Sequence, residues 1–289
     1  MAKRRRIQPQ KPSRAHHHDN PQNRPKAKPK PPPKPKKTAG PASRQQKKPE
    51  PPTIPFEPHH RILLVGEGDL SFAASLIEHH GCLDVTATVL EKDHAELKDK
   101  YPHVDANIAV INDSAAASDA CKNRLLYGID ATKLPAAVSR GPLYNCILFN
   151  FPHVGGKSTD VNRQVRYNQE LLVGFFGKAL NNLAAMGKIV VTLFEGEPYT
   201  LWNIRDLARH AGLQVDRSFA FQSSAYPGYH HARTLGVVKN KKGETGGGWR
   251  GEERPSRSYI FMRQGDVPPP PISKKRRRGD DSSDDDEDD

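Results

Sequence analysis

Short apolar runs alternate with amphipathic stretches from Arg61 onward, a pattern typical of domains in which strands and helices follow one another. Residues 62–65 form the first apolar run and predict a buried strand that ends at Gly66-Glu67-Gly68. Residues 69–80 carry apolar side chains at helical spacing and predict a helix that ends at Gly81. The domain is therefore predicted to begin with a strand, a glycine turn and a helix.

The same alternation continues along the chain. Further strands are predicted at 84–90, 127–129, 145–149 and 188–194, and further helices at 93–100, 169–186 and 200–210. A polar, glycine-rich stretch at 243–257 predicts a surface loop, and residues 259–261 predict a last strand. Strands separated by helices pair in parallel through right-handed crossovers. We therefore predict an α/β fold with a mainly parallel sheet in a three-layer sandwich.

Charge and proline content separate both ends of the chain from this domain. Residues 1–50 hold 16 Lys and Arg against Asp19 and Glu50, and 14 of the 26 prolines precede residue 56. At the other end, a basic run at 274–278 is followed by an almost wholly acidic run at 280–289. Such compositions cannot bury enough apolar surface to fold. We predict a disordered tail at 1–57, a domain at 58–265 and a second disordered tail at 266–289.

The net charge of +12 lies almost entirely in the N-terminal tail, and this position indicates how it is used. A basic tail attracts polyanions with little selectivity, so we expect it to bind RNA and nuclear import receptors. A solubilising linker is the alternative. The second basic run, next to the acidic end, is typical of nuclear and nucleolar import signals. These features predict a protein of the nucleus and nucleolus.

Several classes of protein are disfavoured by features that the sequence lacks. No apolar run is long enough to span a membrane, and none follows the basic start, so we expect neither a membrane protein nor secretion by the usual route. Cys82, Cys121 and Cys146 lie far apart, which argues against a disulfide framework or a structural zinc site. Short histidine runs such as His59-His60 show no acidic or cysteine partner at ligand spacing, so we predict no metal. A monomer is favoured.

The glycine turn lies where a parallel sheet binds a nucleotide-like cofactor, beyond the carboxyl end of a strand. Gly66 and Gly68 would let a ligand approach the backbone, but Ser71 stands where the dinucleotide fingerprint requires a third glycine. Glu67 and Asp69 put two carboxylates where a pyrophosphate would sit, so an anionic ligand is disfavoured. S-adenosylmethionine, which is cationic and carries no phosphate, suits these acids.

Two further acids follow the next predicted strands. Glu91 stands just past the second strand, where it can accept hydrogen bonds from both ribose hydroxyls. Asp130 follows the third strand and can accept a hydrogen bond from the adenine amino group. Each acid alone has another explanation, as a solvated loop carboxylate or, for Asp69, as a helix N-cap. Acids at three strand ends together favour the adenosyl ligand.

The fourth predicted strand is followed by Asn150-Phe151-Pro152-His153, and this segment carries the candidate chemistry. A polar residue here would face the transferred methyl group, and the proline beside it would hold the backbone rigid. The segment resembles the Asn/Asp-Pro-Pro-aromatic element of N-methyltransferases, with Phe151 in place of the first proline. An ordinary strand-exit turn is the alternative. We expect Asn150, Pro152 and His153 to be catalytic.

Four segments in order, at 66–72, 150–153, 194–199 and 226–234, resemble the eukaryotic large-subunit rRNA (uridine-N3) methyltransferase family. The resemblance implies a Rossmann-like class I methyltransferase domain with a mainly parallel seven-stranded sheet. It also implies transfer of a methyl group from S-adenosylmethionine to N3 of a uridine in rRNA, in the nucleolus.

That reaction requires a proton acceptor, because uridine N3–H must lose its proton before or as the nitrogen attacks. His153 is the first candidate, since an unperturbed imidazole titrates near neutral pH. His230 and His231, which follow a Pro-Gly turn, are the alternative. Residues expected to bind the target base or its phosphates are Phe151, Tyr229, His230, His231 and Arg233.

Two other functions remain open on the sequence. A catalytically inactive nucleolar RNA-binding and ribosome-assembly factor would keep the fold as a scaffold, and a nucleotide-cofactor dehydrogenase would use the same turn. The intact Gly66, Gly68, Glu91 and Asn150 favour the methyltransferase, because a protein that binds no cofactor has no need of those glycines.

Overall fold

The computed structural model describes residues 51–156, 158–237 and 250–266. Within these ranges, seven strands form one sheet in the order β3-β2-β1-β4-β5-β7-β6. Neighbouring strands from β3 to β5 pair in parallel, and β7 runs antiparallel to both β5 and β6. The predicted seven-stranded, mainly parallel sheet is therefore confirmed. The strands are β1 (Arg61–Leu64), β2 (Asp84–Thr88), β3 (Arg124–Leu126), β4 (Tyr144–Asn150), β5 (Leu183–Phe194), β6 (Leu213–Ala220) and β7 (Ser256–Arg263).

Helices cover both faces of this sheet. They are α1 (Ser71–His80), α2 (His94–Lys100), α3 (Val104–Ala117), α4 (Ala136–Ser139), α5 (Val161–Asn182) and α6 (Ile204–His210). Short 3-10 turns lie at Tyr199–Trp202, Ser223–Ala225 and Gly251–Glu253. The three-layer sandwich follows from the pattern of side chains along each strand.

Alternate residues of β1 belong to two different hydrophobic cores. Leu63 packs in the core that includes Phe175 of α5, whereas Ile62 and Leu64 pack in the core that includes Leu76 of α1. Successive side chains of a strand point to opposite faces, and a strand buried on both faces has a continuous apolar sequence. This is why the run at 62–65 was recognisable as a strand.

The third strand lies at Arg124–Leu126, so its prediction at 127–129 is wrong. The strand is at the sheet edge and begins with Arg124, whose Nε donates to the hydroxyl of Thr86, 3.0 Å away. An edge strand with a polar start gives no continuous apolar run. The apolar residues that follow it, including buried Ile129, belong to the turn.

The longest helix begins earlier and ends earlier than its prediction at 169–186. The Asp160 side chain caps it by accepting from Arg163 N–H, 3.0 Å away, and the helix ends at Asn182. Residues 183–186, which include two alanines and a methionine, favour helix by local propensity but form the start of β5. Leu183 pairs with Tyr144 of β4, and after a shift in register the pairing resumes between Lys188 and Cys146.

Three elements, α3, α4 and β6, have no counterpart in the prediction, and one predicted helix is divided. α3 buries Val104 and Ile111 but few other side chains, so its helical periodicity is weak. β6 is an edge strand with mostly half-buried or exposed side chains. The helix predicted at 200–210 becomes a 3-10 turn and α6, which are separated by Asn203 with φ 51°.

The core extends to the N-terminal side of the predicted domain start at residue 58. Phe56 is buried, and its ring centroid lies 5.6 Å from that of His80 and 6.5 Å from that of Tyr226. The three cysteines are free thiols. No helix in the described ranges is long and apolar enough to cross a membrane. Most of the two predicted tails lies outside the described residues.

Candidate active site

A cavity of about 610 Å³ opens at the carboxyl ends of β1 and β4, where the strand order reverses. This is the position at which open α/β sheets bind their ligands. Of the predicted site residues, Arg233 alone does not line it; the Arg233 side chain is exposed and its backbone carbonyl accepts from Tyr101. The predicted residues that line the cavity are Gly66, Glu67, Gly68, Asp69, Glu91, Asp130, Asn150, Phe151, Pro152, His153, Tyr229, His230 and His231.

The two glycines of the turn are explained by the protein's own packing. Gly66 has φ +65°, and a Cβ placed on it would lie 2.7 Å from the ring of Phe149. A Cβ on Gly68 would lie 2.6 Å from the Cβ of Ala232. Side chains are therefore excluded here before any ligand binds, so a valine at position 68 would disturb the fold as well as a cofactor.

Glu67 is a buried acid. Its Oε2 accepts from Ala73 N–H, 3.2 Å away. Burial, reinforced by the nearby charge of Asp69, raises the pKa of Glu67 to about 8. At neutral pH the turn therefore carries less negative charge than its two carboxyl groups suggest, until a cation enters the cavity.

Asp69 fixes the turn to its surroundings. Its Oδ1 accepts from the N–H and the hydroxyl of Ser71, at 3.1 and 2.7 Å, and its Oδ2 lies 2.9 Å from His103 Nε2. This hydrogen bond raises the pKa of His103. The helix-capping position itself is occupied by Leu70, with φ 64°, so Asp69 forms a turn before α1 and does not occupy the N-cap.

Glu91 and Asp130 lie in neighbouring loops at the ends of β2 and β3. Glu91 is 5% exposed and forms an ion pair with Lys100. Asp130 Oδ1 accepts from the N–H and the hydroxyl of Thr132, both at 2.8 Å. A backbone hydrogen bond of 2.7 Å from Gly128 N–H to the Glu91 carbonyl ties the two loops together. Both acids are thus held beside the glycine turn.

Asn150 is the last residue of β4 and lies on the opposite side of the cavity. Its Oδ1 accepts from the Thr192 hydroxyl, 2.8 Å away, whereas its Nδ2 is buried and has no hydrogen-bond partner among the described residues. A buried amide donor without a partner costs about 1–3 kcal/mol. A ligand that brings an acceptor to Asn150 would remove that cost.

Phe151 belongs to an aromatic wall of the cavity. It has φ 51°, and its N–H donates to the Thr192 carbonyl at 2.8 Å. Its ring centroid lies 4.6 Å from that of Phe194 and 4.4 Å from that of His231. The position of Phe151 is therefore set by packing within the protein, and a target base could use only the part of the ring that faces the cavity.

His153 is held in one tautomer by the loop that follows it. Its Nδ1 accepts from Gly155 N–H, 2.9 Å away, so in the neutral ring the proton resides on Nε2. Burial lowers the pKa of His153, which favours this neutral form. The nitrogen that remains available is a hydrogen-bond donor.

The loop at 226–237, called the cover loop here, packs across the glycine turn. His230 N–H donates to the Ser71 hydroxyl, 3.0 Å away, and that hydroxyl donates its own proton to Asp69. The Tyr101 hydroxyl donates to the Arg233 carbonyl at 2.8 Å, and Val237 N–H donates to the Lys100 carbonyl at 3.2 Å. The cover loop therefore joins the glycine turn and the end of α2 into one wall.

A family model described as rRNA (uridine-N3-)-methyltransferase BTM5-like matches residues 63–233. The chain belongs to this BMT5-like family. It is 31% identical over 258 residues to the 25S rRNA (uridine(2634)-N(3))-methyltransferase of Saccharomyces cerevisiae, covering 73% of this chain and 74% of the yeast protein.

Two further proteins are similar to part of this chain. The heavy metal-associated isoprenylated plant protein 41 of Arabidopsis thaliana is 33% identical over 182 residues, which are 62% of this chain and 34% of the plant protein. A methyltransferase structure from Pyrococcus furiosus shares 17% identity, with a TM-score of 0.40, and covers 71% of this chain and 75% of that chain. The BMT5-like chain is a methyltransferase by family.

The histidines of the cover loop differ from each other in this BMT5-like domain. His231 lies among aromatic rings, and burial lowers its pKa to about 4. Its Nδ1 lies 3.3 Å from the hydroxyl of Tyr229, whose pKa burial raises well above the ordinary value. His230 is exposed, and its Nδ1 is 3.7 Å from Glu252. His231 is therefore an inner wall residue, and His230 lies at the rim.

Two groups of functional candidates were not predicted from the sequence. Thr192 and Ser258 lie behind Asn150, and the signal for Thr192 was a single hydroxyl within the apolar run of β5. Glu57, His59 and His60 bring three potential metal ligands within 4.8 Å of one another at the surface. This corrects the expectation that His59 and His60 lack an acidic partner.

Proposed function

We propose that this protein is an S-adenosylmethionine-dependent methyltransferase that methylates N3 of a uridine in large-subunit rRNA. The observation that carries the proposal is one cavity with buried acids on one side and an unpaired buried amide donor on the other. Family membership supports methyl transfer and an RNA substrate. The cofactor, the target atom and the roles of individual residues are the content of the proposal.

The cofactor half consists of Gly66 to Asp69, Glu91 and Asp130. Buried carboxyl groups favour a cationic ligand over a phosphate-bearing one. Glu91 would accept hydrogen bonds from the ribose, and Asp130 would face the adenine. S-adenosylmethionine, when bound, supplies a methyl group on a cationic sulfur. Glu67 would lose its proton as that cation enters, so cofactor binding is expected to release a proton near neutral pH.

The target half offers hydrogen-bond donors to the carbonyl groups that flank uridine N3. Asn150 Nδ2 and His153 Nε2 are both donors in this arrangement. Negative charge spreads onto these carbonyl oxygens when N3–H ionises, and preorganised donors stabilise such charge. A base within an RNA helix would have to leave its stack to reach the cavity, and Phe151 and Tyr229 would contact it there.

The proton of N3 is then released without a strong imidazole base. His153 uses its basic nitrogen to accept from Gly155, and His231 with a pKa of about 4 is a weak base. We therefore propose that the two donors acidify uridine N3–H. The N3 proton would then pass to solvent through the cavity mouth. This replaces the role of proton acceptor that the sequence suggested for His153.

The basic N-terminal tail is proposed to add non-specific RNA affinity, and both basic runs are proposed to direct the protein to the nucleus and nucleolus. Because Phe56 belongs to the core, a test deletion should end at residue 49. We expect that deletion to weaken RNA binding and to flatten its dependence on salt, with little change in thermal unfolding. A large loss of thermal stability would contradict a purely electrostatic role.

The function is tested with unmodified large-subunit rRNA made by transcription and with S-adenosylmethionine carrying an isotopically labelled methyl group. We expect labelled 3-methyluridine after nuclease digestion and mass spectrometry, and almost none from the Glu91→Ala variant at low cofactor concentration. Label in another nucleoside would overturn the target assignment. RNA binding without cofactor binding in calorimetry would favour an inactive assembly factor, and NAD binding would favour a dehydrogenase.

A further inference from the structure

Three polar residues form a row across three neighbouring strands beside the cavity. Asn150 of β4 is in register with Thr192 of β5, and Thr192 is in register with Ser258 of β7. The hydroxyl of Thr192 lies 2.8 Å from Asn150 Oδ1 and 2.9 Å from the hydroxyl of Ser258. Thr192 is 1% exposed and Ser258 is 2% exposed. The row therefore supports Asn150 from inside the sheet, shielded from water.

Each hydroxyl in this row has one proton to donate, and this limit determines the direction of the hydrogen bonds. Thr192 has one hydroxyl proton and donates it to Asn150 Oδ1. The bond between Thr192 and Ser258 must then be donated by Ser258. The amide oxygen of Asn150 is thus engaged by the sheet, and the amide nitrogen is the group left for a ligand.

The reverse order of donors would be less favourable. If Asn150 Nδ2 donated to Thr192, Thr192 would donate to Ser258, and the Ser258 proton would have no acceptor among the described side chains around it. That unpaired proton would lie within the sheet, where no substrate can reach it. In the order described above, the unpaired donor belongs to Asn150, a residue that lines the cavity; its Nδ2 is itself buried, so a substrate carbonyl would reach it after a small movement of the neighbouring side chains.

We propose that Thr192 and Ser258 are positioning residues that hold the Asn150 amide as a hydrogen-bond donor, and that they thereby select a target nitrogen flanked by carbonyl groups over an exocyclic amine. An amine target, such as N4 of cytidine, presents N–H groups and requires an acceptor, but the acceptor of Asn150 is already occupied. This inference rests on the proposed function and specifies how the site distinguishes uridine from cytidine.

The test is the Thr192→Val variant, which keeps the shape of the side chain and removes the hydroxyl. Single-turnover methyl transfer is measured from pH 6 to 10 on RNA with uridine, and on the same RNA with cytidine, at the target position. We expect the uridine rate at neutral pH to fall by about 10- to 100-fold, with recovery toward high pH where uridine ionises unaided. The ratio of the rate on uridine RNA to the rate on cytidine RNA should fall, and cofactor affinity should stay unchanged.

A conservative variant and a variant at a distant site distinguish a positioning role of Thr192 from a general loss of structure. Thr192→Ser should restore most of the rate, and Ser258→Ala should cause a smaller loss of the same pH dependence. Thr86→Val, at a fully buried threonine of β2 whose hydroxyl contacts Arg124, should leave the pH profile unchanged. If Thr192→Val does not fold, Ser258→Ala carries the test, because the loss expected from it has the same pH dependence.

Two outcomes would overturn the inference while leaving the function intact. One is a folded Thr192→Val enzyme with the rate and pH profile of the wild type. The other is a loss of single-turnover rate in Thr192→Val that is the same at every pH and that is equally large in Thr192→Ser. If the wild-type protein itself forms no 3-methyluridine, the proposed function fails, and the inference fails with it.

Discussion

The two halves of the cavity differ in how their polar groups are satisfied. In the cofactor half, Asp69 and Asp130 accept hydrogen bonds from the residues that follow them, and Asp69 also contacts His103. In the target half, Asn150 Oδ1 accepts from Thr192, whereas Asn150 Nδ2 is buried with no partner among the described residues. The acids of one half are therefore held by the protein, whereas the other half keeps one donor unpaired.

The halves also share a property that local sequence does not reveal. Burial raises the pKa of Glu67 in one half and lowers the pKa of His153 and His231 in the other. In each case the charged form is disfavoured, because the low-dielectric interior solvates charge poorly. The cavity walls are therefore less charged than their side chains suggest, and the ligands would bring the charge. Four variants test this comparison.

Asn150→Ala should have the largest effect and should act on the target half alone. Removing the amide donor is expected to lower the single-turnover rate by about 10²–10³, as for other preorganised donors, with little change in cofactor affinity. Rapid-quench kinetics with saturating cofactor, and calorimetry for cofactor binding, measure the two quantities. Asn182→Ala, at another buried asparagine, is the control. Equal losses in rate and cofactor affinity would contradict a division between the halves.

His153→Ala tests whether the imidazole donates or accepts. If the His153 imidazole donates to a carbonyl oxygen, its removal should lower the single-turnover rate by about 10- to 100-fold at neutral pH, with partial recovery at high pH. His153→Gln, which keeps a donor, should retain more activity than His153→Ala across the pH range. The exposed His210→Ala, on α6 and not among the residues that line the cavity, serves as control, and His230→Ala tests the other histidine at the cavity rim. If His153→Gln is no better than His153→Ala, or His231→Ala shows the pH-dependent loss instead, the donor assignment is wrong.

Glu67→Gln should act on the cofactor half. In the folded protein Glu67 keeps its proton up to a pKa of about 8, whereas its ordinary value is 4.5. Its contribution to stability is therefore complete below about pH 4.5 and is lost progressively as the pH rises toward 8. Glutamine can still accept from Ala73 and cannot ionise.

The Glu67→Gln variant should thus gain stability relative to the wild type as pH rises from 5 to 8, measured by urea unfolding at each pH. Cofactor binding should weaken by about tenfold at pH 8, because the negative charge is lost. Calorimetry in buffers of different ionisation enthalpy should detect proton release in the wild type and none from this site in the variant. Identical proton release in both proteins would exclude Glu67 as its source.

Ser71→Ala is expected to give the smallest effect and tests the junction between the halves. It removes the hydrogen bond from His230 N–H that attaches the cover loop, together with the hydrogen bond from the Ser71 hydroxyl to Asp69. We expect a loss of about 1 kcal/mol in stability and a rise of a few-fold in KM for RNA, with little change in the rate at saturating RNA. Ser75→Ala, at another buried serine of α1, is the matched control. An unchanged KM would show that the cover loop does not contribute to RNA binding.

Local patterns in the sequence predicted the elements that are continuous and strongly apolar. The run at 62–65, the glycine turn and the following helix were recognisable because each depends on neighbouring residues. The turn at Asn150 was predicted for the same reason. The edge strands β3 and β6, and the helix α3, were misplaced or missed because their burial is partial and their periodicity is weak.

The sequence by itself determined the alternation of the strongly apolar strands and helices, the family, and most of the polar residues that line the cavity. Only the tertiary structure decided how those residues are held: that Gly68 gives space to Ala232, that the basic nitrogen of His153 is occupied, and that Thr192 orients Asn150. The physical reason is distance along the chain. Secondary structure follows from neighbours, whereas burial and hydrogen-bond partners are supplied by segments that meet only in the folded protein.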